Sequence, residues 1–236
     1  MISVVIPVYD ECENLAPLLE AIEAALSGLD HEIVMVDDGS GDGSALELAR
    51  LRSAYRHMRL VELERHAGQS AALVAGFEAA RGEIVVTMDA DGQNDPAEIP
   101  GLLELLEVHP GYTAVVGYRV GRLDTRWKLF QSRVANGFRN LVTGDSIRDT
   151  GCSLKAMRRA VLLQLPRFDG MHRFLPTLIR MQGGVVVEAQ VSHRPRWHGR
   201  SKYGMWNRVF RGVRDVFRVR WLGSRRLVTK TKNDSL

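Results

Sequence analysis

At 236 residues, the chain is long enough for one α/β domain with a substantial core, and too long for a disulfide-stapled miniprotein. With 45% hydrophobic and 25% charged residues it is too apolar for intrinsic disorder, and its two cysteines, Cys12 and Cys152, have no metal-ligand spacing and point to a reducing compartment. The net charge of +4 conceals an asymmetry: residues 1–193 carry 19 Lys and Arg against 26 Asp and Glu, whereas residues 194–232 carry 13 against the single Asp215.

In chain order, short β-branched runs at 2–8, 32–36, 59–63 and 83–88 alternate with helical patterns at 13–26, 44–54 and 69–80. This alternation predicts a mostly parallel sheet covered by helices. A helix over 96–106 and a strand over 114–117 follow, then a basic amphipathic segment over 119–142. Helices near 155–163 and 171–181 and a strand over 185–191 complete the expected body. No repeat and no low-complexity linker interrupts it. No basic leader precedes the first strand and no apolar run approaches the ~18 residues of a membrane span, so neither a signal peptide nor a transmembrane helix is expected.

From Trp206, the apolar residues Val209, Phe210, Val213, Val216 and Phe217 follow helical spacing, with Arg208, Arg211, Arg214 and Arg218 on the other face. Trp221 and Leu222 continue the apolar side beside Arg220, Arg225 and Arg226. A basic amphipathic helix with aromatics suits an anionic membrane surface as well as it suits core packing. Nucleic acid is disfavoured, because the acidic body would repel it.

Ligands of open α/β sheets sit beyond the carboxyl ends of the strands. Three such ends are acidic: Tyr9-Asp10-Glu11 after the first, Asp37-Asp38-Gly39-Ser40 after the second, and Asp89-Ala90-Asp91-Gly92-Gln93 after the fourth. The glycines at 39, 41 and 43 do not form a phosphate loop, since two carboxylates precede them; Asp38 is better placed to accept hydrogen bonds from a nucleobase or ribose. Asp89 and Asp91, two apart at a strand end, point to one side and repel each other unless a cation lies between them. A hard divalent ion, Mg²⁺ or Mn²⁺, bridging a diphosphate satisfies that pair, and the Gln93 amide oxygen extends the same face. Of the histidines, His193 and His198 flank Arg194-Pro195-Arg196, while His31, His57, His66 and His109 read as surface or turn residues.

These motifs resemble glycosyltransferase family 2, which has the GT-A fold, and within it the polyprenyl-phosphate branch that includes dolichol-phosphate mannosyltransferases. The resemblance continues through Asp149-Thr150-Gly151-Cys152-Ser153-Leu154-Lys155, His172-Arg173-Phe174-Leu175-Pro176, and His193 to Arg196 with Gly199, Ser201, Lys202, Tyr203 and Gly204. It implies a catalytic domain over 1–204 and a membrane-surface tail over 205–236. It implies that Pro7, Tyr9, Glu11 and Asp38 hold the donor nucleoside, and that Asp89, Asp91 and Gln93 hold the metal and diphosphate. Arg196, Ser201 and Lys202 would also contact the donor, and Arg119, Lys128, Arg133 and Arg194 the acceptor phosphate. The sequence departs from the family in having Asp10 where Asn is usual, and Gln69 where close mannosyltransferases often carry a basic residue.

The expected function is metal-dependent, inverting transfer of a sugar, mannose or glucose first, from a nucleotide diphosphate to a polyprenyl phosphate. An aminosugar or aminoarabinose donor and a silent scaffold subunit are the alternatives. The expected place is the cytoplasmic face of the membrane, with an integral-membrane partner possible for a chain lacking its own span.

Overall fold

The computed structural model describes residues 1–120, 137, 144–197 and 214–222. Its first half is regular. Strand β1 (Ile2–Val8), helix α1 (Cys12–Ala25), β2 (His31–Asp37), α2 (Ser44–Ala54), β3 (Met58–Glu62), α3 (Gln69–Ala79) and β4 (Ile84–Thr87) alternate as the hydrophobic pattern predicts. A 3₁₀ turn (Pro96–Glu98) leads into α4 (Ile99–Glu107) and β5 (Tyr112–Arg119). Further along the chain come β6 (Lys155–Arg158), the short α5 (Arg159–Leu162), a 3₁₀ turn (Met171–Phe174), α6 (Leu175–Met181) and β7 (Val185–Val191). Residues 214–222 form α7.

The strands make one sheet in the order β3-β2-β1-β4-β6-β5-β7. All pairings are parallel except those of β6, which runs against both β4 and β5. β1 and β2 are almost wholly buried because helices cover both faces. Alternate residues of β1 divide between two cores: Val4, Ile6 and Val8 pack with Leu15, Leu18 and Leu19 of α1, and Val5 packs with Ala72, Leu73 and Phe77 of α3.

β6 corrects the expected helix over 155–163. Lys, Ala, Met and Arg favour helices, but β6 lies between two strands and both of its edges are paired, with Lys155, Ala156 and Met157 buried. Tertiary pairing outweighs propensity here, and the helix shrinks to α5. The basic segment over 119–142 lies, beyond Val120 and apart from residue 137, outside the described residues.

In α7, Val216 and Val219 are buried in the second core, whereas Phe217 and Trp221 are 55% and 54% exposed. The sequence pattern puts Val216 and Phe217 on one face, whereas the helix sends valines inward and aromatics outward. Among the described residues, no helix is long and apolar enough to cross a membrane.

Candidate active site

Strand order reverses between β1 and β4: β2 and β3 extend the sheet to one side of β1, β4 and β6 to the other. A cleft opens at such a switch point, beyond the strands' carboxyl ends. Pairing between β1 and β4 stops at Val5 and Thr87, so Pro7 lies in a margin where its missing N–H costs no bond to β4. Tyr9 to Glu11 leave one side of this opening and Asp89 to Gln93 the other.

The β1 and β2 loops are laced together. The Asp10 N–H donates to Ser40 Oγ at 2.9 Å, the Gly41 N–H to Asp10 Oδ1 at 2.7 Å, and the Glu11 N–H to Ser44 Oγ at 3.0 Å. Asp10 adopts φ 50°, a left-handed conformation that its short polar side chain tolerates.

Asp38 is buried and its carboxylate is already engaged. It accepts from the N–H groups of Ala67 at 2.7 Å and Gly68 at 2.9 Å, and His66 Nδ1 lies 2.9 Å from Oδ2. It therefore shapes the loop between β3 and α3. Gly39 is obligatory at the crossing, with φ 69° and a Cβ position 2.6 Å from the His66 backbone nitrogen. That loop brings His66 onto Tyr9, the rings stacked 4.0 Å apart. His66 is an exposed loop residue, as the sequence suggests, and in addition it stacks on Tyr9 at the edge of the opening; its only sequence signal for that contact is a place just after a strand's carboxyl end.

Across the opening, Asp91 is buried and Asp89 keeps partial access. Gln69 Nε2 donates to Asp89 Oδ1 at 2.8 Å, and the Gln93 N–H to Asp91 Oδ1 at 3.1 Å. Ser153 Oγ accepts from the Asp89 N–H at 3.2 Å and donates to buried Asn94 at 2.6 Å. Burial, then the Asp91 carboxylate, push the Asp89 carboxyl up to about 6, against the pull of Ser153, Lys155 and Arg119. Two crowded carboxylates, one holding its proton well above the usual range, are a donor set that fits a hard divalent cation. The Gln93 amide nitrogen lies 3.5 Å from His193 Nε2, in the segment that follows β7.

This shift has a measurable sign. The unfolded carboxyl titrates near ~4 and the folded one near 6, so between those values the folded protein binds more protons and its stability falls as pH rises. Asp89→Asn should remove that slope and raise the melting temperature of the chelator-treated protein at pH 7.5 by a few degrees, on the order of 1 kcal/mol, as read by scanning calorimetry.

The segment after β7 straps this turn in place. The Ser192 N–H donates to Glu98, the Arg194 N–H to the Gln93 carbonyl at 3.0 Å, and the Trp197 N–H to the Asp91 carbonyl at 3.3 Å. Trp197 covers Gly92, whose φ is 72° and whose Cβ position would fall 2.3 Å from the indole. Arg196 spans the opening, donating to Glu11 Oε1 and Asp91 Oδ2, both at 2.8 Å. Arg194 pairs with Asp95 at the exposed rim.

Arg119, at the end of β5, is held in a two-pronged pair by Asp149: Nε to Oδ2 at 2.7 Å and Nη2 to Oδ1 at 3.0 Å. Burial opposes its charge, but Asp149 outweighs that, and the guanidinium stays above its usual value. Beneath it Lys155 is buried, its ammonium donating to the Cys152 carbonyl and its pKa pulled down by burial. His172 bonds Ser70 Oγ at 2.7 Å and is pushed down to about 3 by burial, then by Arg173 and Lys155, so it remains neutral.

Of the expected site residues, Pro7, Tyr9, Glu11, Asp38, Asp89, Asp91, Gln93, Arg119, Arg194 and Arg196 all lie along this edge. Lys128, Arg133, Ser201 and Lys202 lie outside the described residues. The sequence alone assigns no role to Gln69, Asn94, Asp149 or Ser153; for Asp149 and Ser153 the motif over 149–155 is the available signal, and for Asn94 there is none.

The model of the glycosyl transferase family 2 domain matches residues 3–165. Among curated relatives, dodecaprenyl-phosphate galacturonate synthase of Rhizobium johnstonii is 36% identical over 224 residues, covering 92% of this chain and 66% of the relative. Undecaprenyl-phosphate 4-deoxy-4-formamido-L-arabinose transferase of Pseudomonas savastanoi pv. phaseolicola is 42% identical over 206 residues, covering 86% and 60%. The chain thus spans about 60 to 66% of the length of these relatives. Among solved structures, glucosyl-3-phosphoglycerate synthase from Mycobacterium tuberculosis superposes with a TM-score of 0.70 at 21% identity, over 94% of this chain and 79% of that one. The sheet and its helices are accordingly of the GT-A type.

Proposed function

This chain belongs to glycosyl transferase family 2, and from that membership we propose that it transfers a sugar from a nucleoside diphosphate donor to a polyprenyl phosphate, inverting the anomeric carbon. The observation that carries the reading is the meeting, across the β1 and β4 switch point, of the Asp89 and Asp91 pair with the corner formed by Tyr9 and His66. Tyr9 and His66 offer an aromatic platform for the base, and Asp38 holds the loop that presents it. Asp89, Asp91 and Gln93 would hold Mg²⁺ or Mn²⁺, which would supply charge to neutralise the departing diphosphate. Arg196 exchanges one carboxylate partner for the diphosphate. Arg119, with its remaining N–H groups, and Arg194 at the rim receive the acceptor phosphate; Lys128 and Arg133 are assigned to the same anion, and Ser201 and Lys202 to the donor.

The acceptor supplies its own nucleophile. A phosphate monoester has its second pKa near ~6 and is largely dianionic at neutral pH, so no general base is needed. What the site must do is hold two anionic groups together, and arginines do this with fixed, forked geometry.

The relatives' names speak for a galacturonate or a 4-deoxy-4-formamido-arabinose type of sugar, and so favour a modified donor over mannose or glucose. For the tail, 205–236, we assign contact with an anionic membrane surface, on the exposed Phe217 and Trp221 one helical turn apart and the arginines beside them. The cytoplasmic face, with an integral-membrane partner as a further component, suits a soluble nucleotide sugar and a lipid acceptor. The test is transfer by the full chain from a panel of nucleotide sugars to polyprenyl phosphate in anionic vesicles, with Mg²⁺ or Mn²⁺. A chromatographically shifted glycolipid is expected with one donor class; no glycolipid with any donor overturns the proposal.

A further inference from the structure

The sheet carries a second cluster of ligand-type side chains at its opposite end. β2 starts at His31 and reaches the cleft at Asp37, about 20 Å away for an extended run of this length. Around its start stand Glu23 from the last turns of α1, His31 itself, and His57 from the connection between α2 and β3. Each offers one ligand atom, and the three atoms lie within 4.8 Å of one another.

We propose that Glu23, His31 and His57 form a binding site for one transition-metal ion of the Zn²⁺ class. Glu23 Oε2 is 3.4 Å from His31 Nε2 and 3.3 Å from His57 Nδ1. Tetrahedral Zn²⁺ with bonds of about 2.0–2.1 Å has ligand-to-ligand edges of roughly 3.3–3.4 Å, so both carboxylate-to-imidazole separations already match. The remaining adjustment falls on His57, whose side chain is 55% exposed and can turn.

His31 is oriented as a ligand. Its side chain is only 3% exposed, and its Nδ1 lies 2.9 Å from the Leu29 carbonyl. A carbonyl only accepts, so Nδ1 carries a proton, and Nε2 points into the cluster as a buried nitrogen without a hydrogen-bond partner. An imidazole fixed by a backbone carbonyl on one nitrogen, with the other aimed at a carboxylate and a second imidazole, is the usual outer-sphere arrangement of a metal-binding histidine. Two imidazoles favour Zn²⁺ over Mg²⁺, which distinguishes this cluster from the all-oxygen set of the cleft. The fourth position opens beside exposed His57, where water completes the coordination. Bound there, the ion clips the end of α1, the start of β2 and the approach to β3; it takes no part in sugar transfer.

The test uses the full chain, stripped with chelator and titrated calorimetrically with Zn²⁺ in excess Mg²⁺, with Co²⁺ as a spectroscopic probe of tetrahedral nitrogen and oxygen ligation. One Zn²⁺ per chain is expected, with a rise in melting temperature as binding stabilises the folded state. His57→Ala and Glu23→Gln should each weaken binding at least tenfold, whereas Asp91→Ala should leave it unchanged. Because His57 is exposed, its replacement keeps the test valid if a His31 variant fails to fold. Absence of stoichiometric Zn²⁺ binding by the wild-type chain, or equal affinity in His57→Ala, overturns the proposal.

Discussion

Asp91→Ala is expected to lower sugar transfer by about three orders of magnitude and to abolish the effect of Mg²⁺ or Mn²⁺ on nucleotide binding. Asp91 is buried at the centre of the site, with Oδ1 holding the Gln93 N–H and Oδ2 holding Arg196. Its removal takes away one of two carboxylates facing the cleft and frees the guanidinium that spans it. Loss of one preorganised electrostatic group at a reacting centre costs on the order of 10²–10³ in rate, and Asp91 holds Arg196 and, in the proposed function, a divalent cation as well. Two hydrogen bonds are lost, from the Gln93 N–H and from Arg196, at about 1 kcal/mol each; Arg196 keeps Glu11, and relief of the repulsion that raises Asp89 offsets part of the loss, so the fold should persist with a modest drop in melting temperature. Nucleotide titration with and without divalent ion, beside a thermal melt, checks both halves. Metal-enhanced binding and wild-type turnover in a folded Asp91→Ala protein would refute the assigned role.

The difference between Asp91 and Asp149 shows which parts of this protein can be read before it folds. Asp91 announces itself: two carboxylates two residues apart, after Val85-Val86-Thr87-Met88, require a shared side and a neutralising partner. The alternation of β-branched runs with helical patterns likewise gives the four parallel strands β1 to β4. Asp149 stands in a recognisable motif, but its role cannot be read there, because that role comes from Arg119, 30 residues earlier, and from an antiparallel strand whose sequence has a helical pattern. Ser153 and Gln69 reach Asp89 across 64 and 20 residues, and His66 meets Tyr9 only when two loops cross. Local chemistry is legible where one segment carries it. Where two distant segments share it, pairing energy decides, and the order in which β6 enters the sheet is not written in its own four residues.

Arg119 provides the second large effect, and a way to separate holding the fold from holding the acceptor. Arg119→Ala leaves the Asp149 carboxylate, 13% exposed, without its forked partner, and breaking a buried pair from one side costs about 3–5 kcal/mol. The variant should therefore melt markedly lower and show no transfer, a result that by itself would not distinguish the two roles. Arg119→Lys keeps a cation but loses the fork, so donor affinity should hold while the KM for polyprenyl phosphate rises at least tenfold. The double variant Arg119→Ala with Asp149→Ala removes both charges, and should regain part of the lost stability because no uncompensated carboxylate remains. Transfer should stay absent in it if Arg119 has the proposed role, since the cation assigned to the acceptor phosphate is still missing. Melting curves and acceptor kinetics on these three proteins check the argument, and recovery of transfer together with stability in the double variant would mean that Arg119 serves the fold alone.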